Sequence, residues 1–280
     1  MASSIVGKSG RVYVQDKVLQ HHRQDHKLSV FMAVSGTKSF VFKRVPWPSY
    51  DLSLSLVAEF FHRLRMHIGC YEKEGGLVYS YLRDTLLAIM QEDPDFPLTE
   101  RKKILRRTRE AIQELHGKDW IHIDVKPDNI FVNWTCDEES NKTVSDAALG
   151  DFDIVFKSEG GEARVTKASG IFSFGLVCIY ALGGGELLLL NGYKELAKHG
   201  IKSEQETLTR HFSYFGPNCR HALKGASGMA EDSVREQPLR RFERWGEDLV
   251  PEAQNMISRM TNLDPAGKIT IDQVLTHRWW

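Results

Sequence analysis

No apolar run in this 280-residue chain is long enough to cross a bilayer. The longest, Phe172–Leu182 (FSFGLVCIYAL), runs into Gly183-Gly184-Gly185-Glu186, whereas a spanning helix needs about 20 apolar residues. A helix apolar on all sides in a soluble chain is a buried core helix, and no membrane partner is expected. The opening MASSIVGKSGRVYVQDK contains no apolar segment of the signal-peptide kind, and Ala2 does not fit the N-myristoylation pattern. Cysteine is scarce: four residues, at 70, 136, 178 and 219, with no C-x-x-C spacing. Four free thiols in a reducing compartment follow, with the cytoplasm expected and the nucleus as the alternative. Excess charge is lacking too, with 37 Lys plus Arg against 37 Asp plus Glu. That argues against a dedicated nucleic-acid binder, which usually carries a basic excess. Without a leader, the sequons Asn133-Trp134-Thr135 and Asn141-Lys142-Thr143 read as chance. Internal repeats and low-complexity segments are absent.

What is present is an ordinary globular composition, 41% hydrophobic and 26% charged, with chain enough for one large domain or two small lobes. Residues 11–45 alternate with period two through RVYVQDKVLQ, KLSVFMAV and KSFVFKRV, with Ser35-Gly36-Thr37-Lys38 as a turn. An antiparallel sheet is predicted there. A short helix is predicted over 51–60. Two more strands, RLRMHI and GLVYSYL, follow within 63–82, joined by the charged turn CYEKEG. Beyond Leu82-Arg83-Asp84 the pattern becomes helical. Thr99 is a candidate N-cap for a helix with Ile104, Leu105, Thr108, Ile112 and Leu115 on one side. Its other side carries Arg101, Lys102, Lys103, Arg106, Arg107 and Arg109, read as a solvated face. Further helices are predicted at 172–182, 203–213 and 251–260. Strands first and helices later predict an α+β protein with a small sheet lobe, 1–82, and a larger helical lobe, 83–280.

The chemistry concentrates in Leu115-His116-Gly117-Lys118-Asp119-Trp120-Ile121-His122-Ile123-Asp124-Val125-Lys126-Pro127-Asp128-Asn129-Ile130 and in Leu149-Gly150-Asp151-Phe152-Asp153. Each residue alone is ordinary turn material. Asp124, Lys126 and Asn129 at this spacing, with Asp151 after a strand pair, are not. Together they resemble the catalytic loop H-R-D-x-K-x-x-N and the D-F-G motif of the eukaryotic-type Ser/Thr protein kinases. The resemblance implies a bilobal kinase fold that binds Mg-ATP and moves its γ-phosphoryl group to a protein hydroxyl. It implies that Asp124 accepts the hydroxyl proton and that Lys126 neutralises the migrating phosphate. It also implies that Asn129 and Asp151 hold Mg2+, a hard cation that prefers oxygen ligands. Related small-molecule phosphotransferases generally lack a lysine at the position of Lys126, which disfavours that class.

Other landmarks extend the resemblance over about residues 11–280. Val41-Phe42-Lys43 is similar to the V-A-I-K strand, making Lys43 the candidate α/β-phosphate ligand. Tyr79, Ser80, Tyr81 and Leu82 look like the last strand and hinge, which bind adenine through backbone groups. Phe172-Ser173-Phe174-Gly175 resembles W-S-F-G. The stretch from Asp264-Pro265 to Trp279-Trp280 resembles the family's closing pattern. RLRMHI, WIHIDVKPDN and FSFGLVCIYAL look most like a divergent set of protein-kinase-like proteins of filamentous fungi.

The departures are specific. VLQHHRQDHKLSV, between Val18 and Val30, has no glycine where kinases bring backbone N–H groups close to the phosphates; His and Arg side chains are the candidate substitutes. Asp51 and Glu59 both remain open as the acidic partner of Lys43. Asp153 replaces the D-F-G glycine, adding a carboxylate that would bind the metal or repel ATP. Ile123 replaces the arginine that meets an activation-segment phosphate, which implies no such switch. Only residues 152–171 separate Asp151 from Phe172, with a turn at Glu159-Gly160-Gly161 and no A-P-E. Gly170 and Lys268 replace the aspartate and arginine that anchor that segment. Weak activity toward proteins is expected. A pseudokinase, using the fold as a nucleotide-binding or protein-binding scaffold, is the alternative.

Overall fold

Six antiparallel strands build the first part of the chain in the order β1-β2-β3-β4-β6-β5. They are β1 (Ser4–Val6), β2 (Val12–Gln20), β3 (Val30–Ser35), β4 (Lys38–Arg44), β5 (Gly69–Tyr71) and β6 (Gly76–Ser80). The computed structural model describes residues 4–22, 25–59, 63–158, 166–184, 197–200, 202–216, 242 and 249–280. Alternation explains the sheet: Tyr13, Ala33, Phe40, Phe42 and Val78 turn inward and form one apolar cluster. The β3–β4 hairpin closes at Ser35↔Lys38 with Gly36 at φ +61°, the left-handed conformation glycine favours. After β5 the charged turn ends at Gly75 (φ +60°), and at Gly76 a Cβ would meet the Phe42 ring at 2.6 Å. The strand predicted over RLRMHI does not form. Only Leu64 makes a bridge, to Leu149, and the strand that pairs with β6 begins at Gly69.

Helix α1 (Trp47–Glu59) follows β4, extending the predicted helix by a turn on its N-terminal side. After β7 (Asp84–Thr85) and α2 (Leu86–Glu92), the long α3 (Leu98–Gly117) buries the predicted stripe of Ile104, Leu105, Thr108, Ile112 and Leu115. Its N-cap is Pro97 and not Thr99. Proline's fixed φ suits a helix entrance, and no side chain caps the end. Then come β8 (Trp120–His122), the hairpin β9 (Ile130–Cys136) and β10 (Lys142–Leu149), and β11 (Val155–Lys157) paired with β8. α4 (Lys167–Ile179) continues into a wider turn, Tyr180–Gly184, with Gly183 at φ +108°. Ile171, Phe174, Val177, Cys178 and Ile179 of α4 are buried in the large core. Helices Ser203–Phe215, Pro251–Met260 and Ile271–Leu275 complete the described part. Among the described residues no helix is long and apolar enough to cross a membrane. Cys219 and the turn predicted at Glu159-Gly160-Gly161 lie outside the described residues.

The basic side of α3 is not a solvated face. Arg101 donates to the Ala181 carbonyl (3.0 Å), Lys102 to that of Trp279 (2.8 Å) and Arg106 to that of Trp280 (2.9 Å). Arg109 is buried, donates to the Leu275 carbonyl (2.8 Å) and lies 4.1 Å over the Trp280 ring. Long cationic side chains cover apolar rings with their stems while their heads satisfy carbonyls. A charge run read along the sequence does not reveal that an aromatic pair folds back onto it.

Gly170, at the start of α4, stands against His116 at the end of α3. A Cβ there would approach His116 Nε2 to 3.3 Å. Burial, reinforced by Lys167, lowers the His116 pKa from 6.5 to about 4. The folded state therefore binds fewer protons than the unfolded chain between those values, and stability is lost as pH falls through that window. His116 is expected to contribute a loss of about 2 kcal/mol between pH 7 and pH 5. Chemical denaturation at both pH values checks it; the same pH slope in His116→Gln would rule the histidine out.

Candidate active site

The loop from His122 to Asn129 is fixed from within. The Asp124 N–H donates to His122 Nδ1 (3.1 Å), so the ring carries its hydrogen on Nε2 and donates to the Gly150 carbonyl (3.1 Å). Burial holds the His122 pKa below its usual value, which keeps that neutral tautomer. Asn129 N–H donates to the Lys126 carbonyl (3.0 Å), and Gly150 N–H donates to the Asn129 carbonyl (2.9 Å). These bonds tie the loop to the strand end that carries Asp151.

Two predicted residues, Lys126 and Asn129, meet at a third, Asp124. Lys126 Nζ lies 2.7 Å from its Oδ2, and Asn129 Nδ2 donates to the same oxygen and to the Asp124 backbone carbonyl, both at 2.9 Å. The Asn129 amide nitrogen thus faces Asp124, and its Oδ1 makes neither bond. Asp151 adopts the left-handed conformation (φ +63°), which aspartate tolerates better than most residues. Its Oδ1 accepts from Lys43 Nζ at 2.6 Å.

Lys43 has a second partner, Asp153, at 2.7 Å. Burial alone would lower the lysine's pKa, but the two carboxylates outweigh it and hold it well above the usual range. This settles the open choice between Asp51 and Glu59 in favour of neither. Asp51 is exposed on α1. Glu59 accepts from Trp120 Nε1 (2.9 Å) and lies 3.8 Å from Lys157, tying the end of α1 to the β8–β11 pair.

Lys43, Tyr79, Tyr81, Leu82, Lys126, Asn129 and Asp151 line one cavity of about 420 Å³. Ser80 is not among its lining residues; its carbonyl accepts from Arg65 Nη2 at 3.2 Å. Arg65 is the residue the sequence reading missed, hidden in a segment taken for a strand. Leu19 and Gln20 line the cavity from β2. The glycine-free turn beyond them is held by side chains: His22 N–H donates to Ser29 Oγ (3.1 Å), Asp25 N–H to His22 Nδ1 (3.0 Å) and Lys27 N–H to Asp25 Oδ1 (2.8 Å). Those three backbone donors are engaged within the turn itself. Ile123, in the place of the loop arginine, is 41% exposed.

Among the described residues no group of three His, Cys, Asp or Glu side chains could hold a metal. Mg2+ does not need one, because it usually takes one or two protein oxygens together with phosphate oxygens and water. A carboxylate at 151 and an amide oxygen at 129, lining the same cavity, fit that pattern.

Residues 59–280 match the family model described as the protein kinase domain. Similar proteins include the mitogen-activated protein kinase MKC1 of Candida albicans, 26% identical over 189 residues, or 59% of this chain and 35% of that protein. The mitogen-activated protein kinase mpkA of Aspergillus fumigatus is 24% identical over 191 residues, 60% of this chain and 42% of that protein. Serine/threonine-protein kinase 33 of Mus musculus is 22% identical over 208 residues, 69% of this chain and 37% of that protein. The matched region spans well under half the length of each relative. With the loop geometry at Asp124 and a family match running from Glu59 to Trp280, the chain belongs to the protein kinase family.

Proposed function

We propose that this chain binds Mg-ATP between a small lobe, residues 1–82, and a larger lobe, residues 83–280, and transfers the γ-phosphoryl group to a Ser or Thr hydroxyl of a protein. The observation that carries this reading is the joining of Asp124, Lys126 and Asn129 in one bonded cluster, beside a cavity that Lys43 and Asp151 also line. Asp124 receives the hydroxyl proton. Lys126, already near that carboxylate, meets the charge of the migrating group. Asn129 Oδ1 and the Asp151 carboxylate would hold Mg2+, which when bound neutralises charge on the phosphates. Tyr79, Tyr81 and Leu82 flank the base, with Ser80 behind them.

A second reading, a pseudokinase scaffold, is favoured by one feature: Lys43 and Asp151 engage each other, and Asp153 occupies the lysine further. Binding and turnover separate the two. Mg-ATP at about 100 times its dissociation constant is expected to stabilise the fold by roughly 2.7 kcal/mol, seen as a rise in Tm. Asp151→Asn should remove most of that rise. Transfer of radiolabel from ATP to a generic basic protein supports the enzyme, and a Tm rise without transfer supports the scaffold. An equal rise with EDTA in place of magnesium would refute the metal assignment.

A further inference from the structure

Arg65 sits at the base end of the cavity in a built setting. Its backbone N–H donates to the Leu149 carbonyl (2.7 Å). Its guanidinium lies 3.9 Å over the Phe131 ring and 5.2 Å from that of Tyr79. Gly150 leaves room for this stack: a Cβ there would stand 2.9 Å from Phe131 and 3.1 Å from the Arg65 Cβ. Nη2 donates to the Ser80 carbonyl (3.2 Å), while Nε is sealed from solvent with no acceptor. Among the described residues no carboxylate forms an ion pair with Arg65, although Asp151 lies near enough to favour its charge. Burial lowers its pKa to about 10, so it remains a cation at neutral pH.

A guanidinium only donates. Arg65 lines this wall of the cavity with a group that only donates, and the Ser80 carbonyl beside it already accepts one of its N–H groups. An adenine 6-amino group would set donor against donor. A 6-oxo group is an acceptor, and with N7 it forms the edge that arginine reads most often in guanine. A site built of fixed donors discriminates strongly against a partner lacking the matching acceptor.

We propose that Arg65 makes this cavity prefer a 6-oxopurine nucleotide, with guanosine triphosphate as its representative, over a 6-aminopurine nucleotide. The proposal rests on the nucleotide-binding reading above and concerns which purine is favoured; ATP binds more weakly at the same place.

The test is calorimetric titration of the whole chain with Mg-GTP, Mg-ITP and Mg-ATP. ITP carries the 6-oxo group without guanine's amino group. GTP and ITP are each expected to bind at least tenfold more tightly than ATP, and Arg65→Met to erase that ratio. ATP binding as tightly as GTP and ITP overturns the proposal and leaves the nucleotide reading intact. A preference unchanged in Arg65→Met, or one shown for GTP and not ITP, also overturns it. Failure of all three to bind sinks the nucleotide reading itself. If Arg65→Met does not fold, the wild-type ratios and Arg65→Lys, which keeps the charge without the planar fork, decide the matter.

Discussion

Replacing Asp124 with asparagine is expected to lower phosphoryl transfer by about 10²–10⁴-fold while most of the magnesium-dependent Tm rise survives. On the proposed reading this carboxylate takes the hydroxyl proton, and Lys126 at 2.7 Å and Asn129 at 2.9 Å hold it in place. The amide keeps its volume and loses its basicity. Asn129 also donates to the Asp124 backbone carbonyl at 2.9 Å, so that residue keeps its orientation when the side-chain charge is gone. The Lys126–Asp124 pair has side chains 46% and 28% exposed, and pairs that wet contribute only about 0–1 kcal/mol. Folding should therefore be little affected, which separates a chemical loss from a structural one. Initial rates of radiolabel transfer and melting curves with and without Mg-ATP make the comparison. A rate within threefold of wild type would show that Asp124 is not the base. Equal loss of rate and of Tm rise would show that the substitution disturbs the metal site instead.

The clustering of Asp124, Lys126 and Asn129 was legible because these residues are close in sequence and short-range geometry decides it. Asp124, Lys126 and Asn129 span six positions, and one turn brings them together. Alternation placed Lys43 on a strand and its resemblance to the V-A-I-K strand singled it out, but its partner was not legible. Partner choice depends on where the end of α1 lands, and Trp120 and Lys157 draw Glu59 away. Asp153 read as a lost glycine and as an added carboxylate that would bind the metal or repel ATP, since nothing local shows that the 3-10 turn Phe152–Ile154 brings that carboxylate to the lysine. Arg65 was missed for a related reason. Period-two alternation placed RLRMHI in the sheet, yet the Arg65 N–H is bonded to the Leu149 carbonyl at the end of β10. The basic side of α3 was misjudged because its partners are distant in sequence: Ala181 lies 80 positions from Arg101, and Leu275, Trp279 and Trp280 lie more than 160 from theirs. Long-range pairing defeats local pattern wherever a polar group is satisfied by a distant carbonyl.

Lys43→Met is expected to lower phosphoryl transfer by about 100-fold or more, by the loss of a fixed positive charge facing the phosphates. Its effect without nucleotide is more informative about Asp153. Asp151 and Asp153 share the Lys43 ammonium at 2.6 and 2.7 Å. Methionine leaves two carboxylates facing each other without a cation, and like charges so placed disfavour joint ionisation. Both are more than a third exposed, so solvent screening limits the resulting loss to about 1 kcal/mol. Asp153→Asn in the Lys43→Met background should recover most of it, giving a favourable coupling in a double-mutant cycle. In the wild-type background Asp153→Asn acts in the other direction. On the proposed reading the Asp151 carboxylate would hold Mg2+, which would leave Asp153 as the carboxylate that keeps Lys43 in place. Its loss is expected to lower turnover about tenfold, or about 1.4 kcal/mol of transition-state stabilisation, with a smaller change in nucleotide affinity. The four chains are compared by denaturant unfolding and by steady-state rates at saturating Mg-ATP. Tighter nucleotide binding with unchanged turnover in Asp153→Asn would mean that this carboxylate repels the phosphates, and that Lys43 is positioned without it.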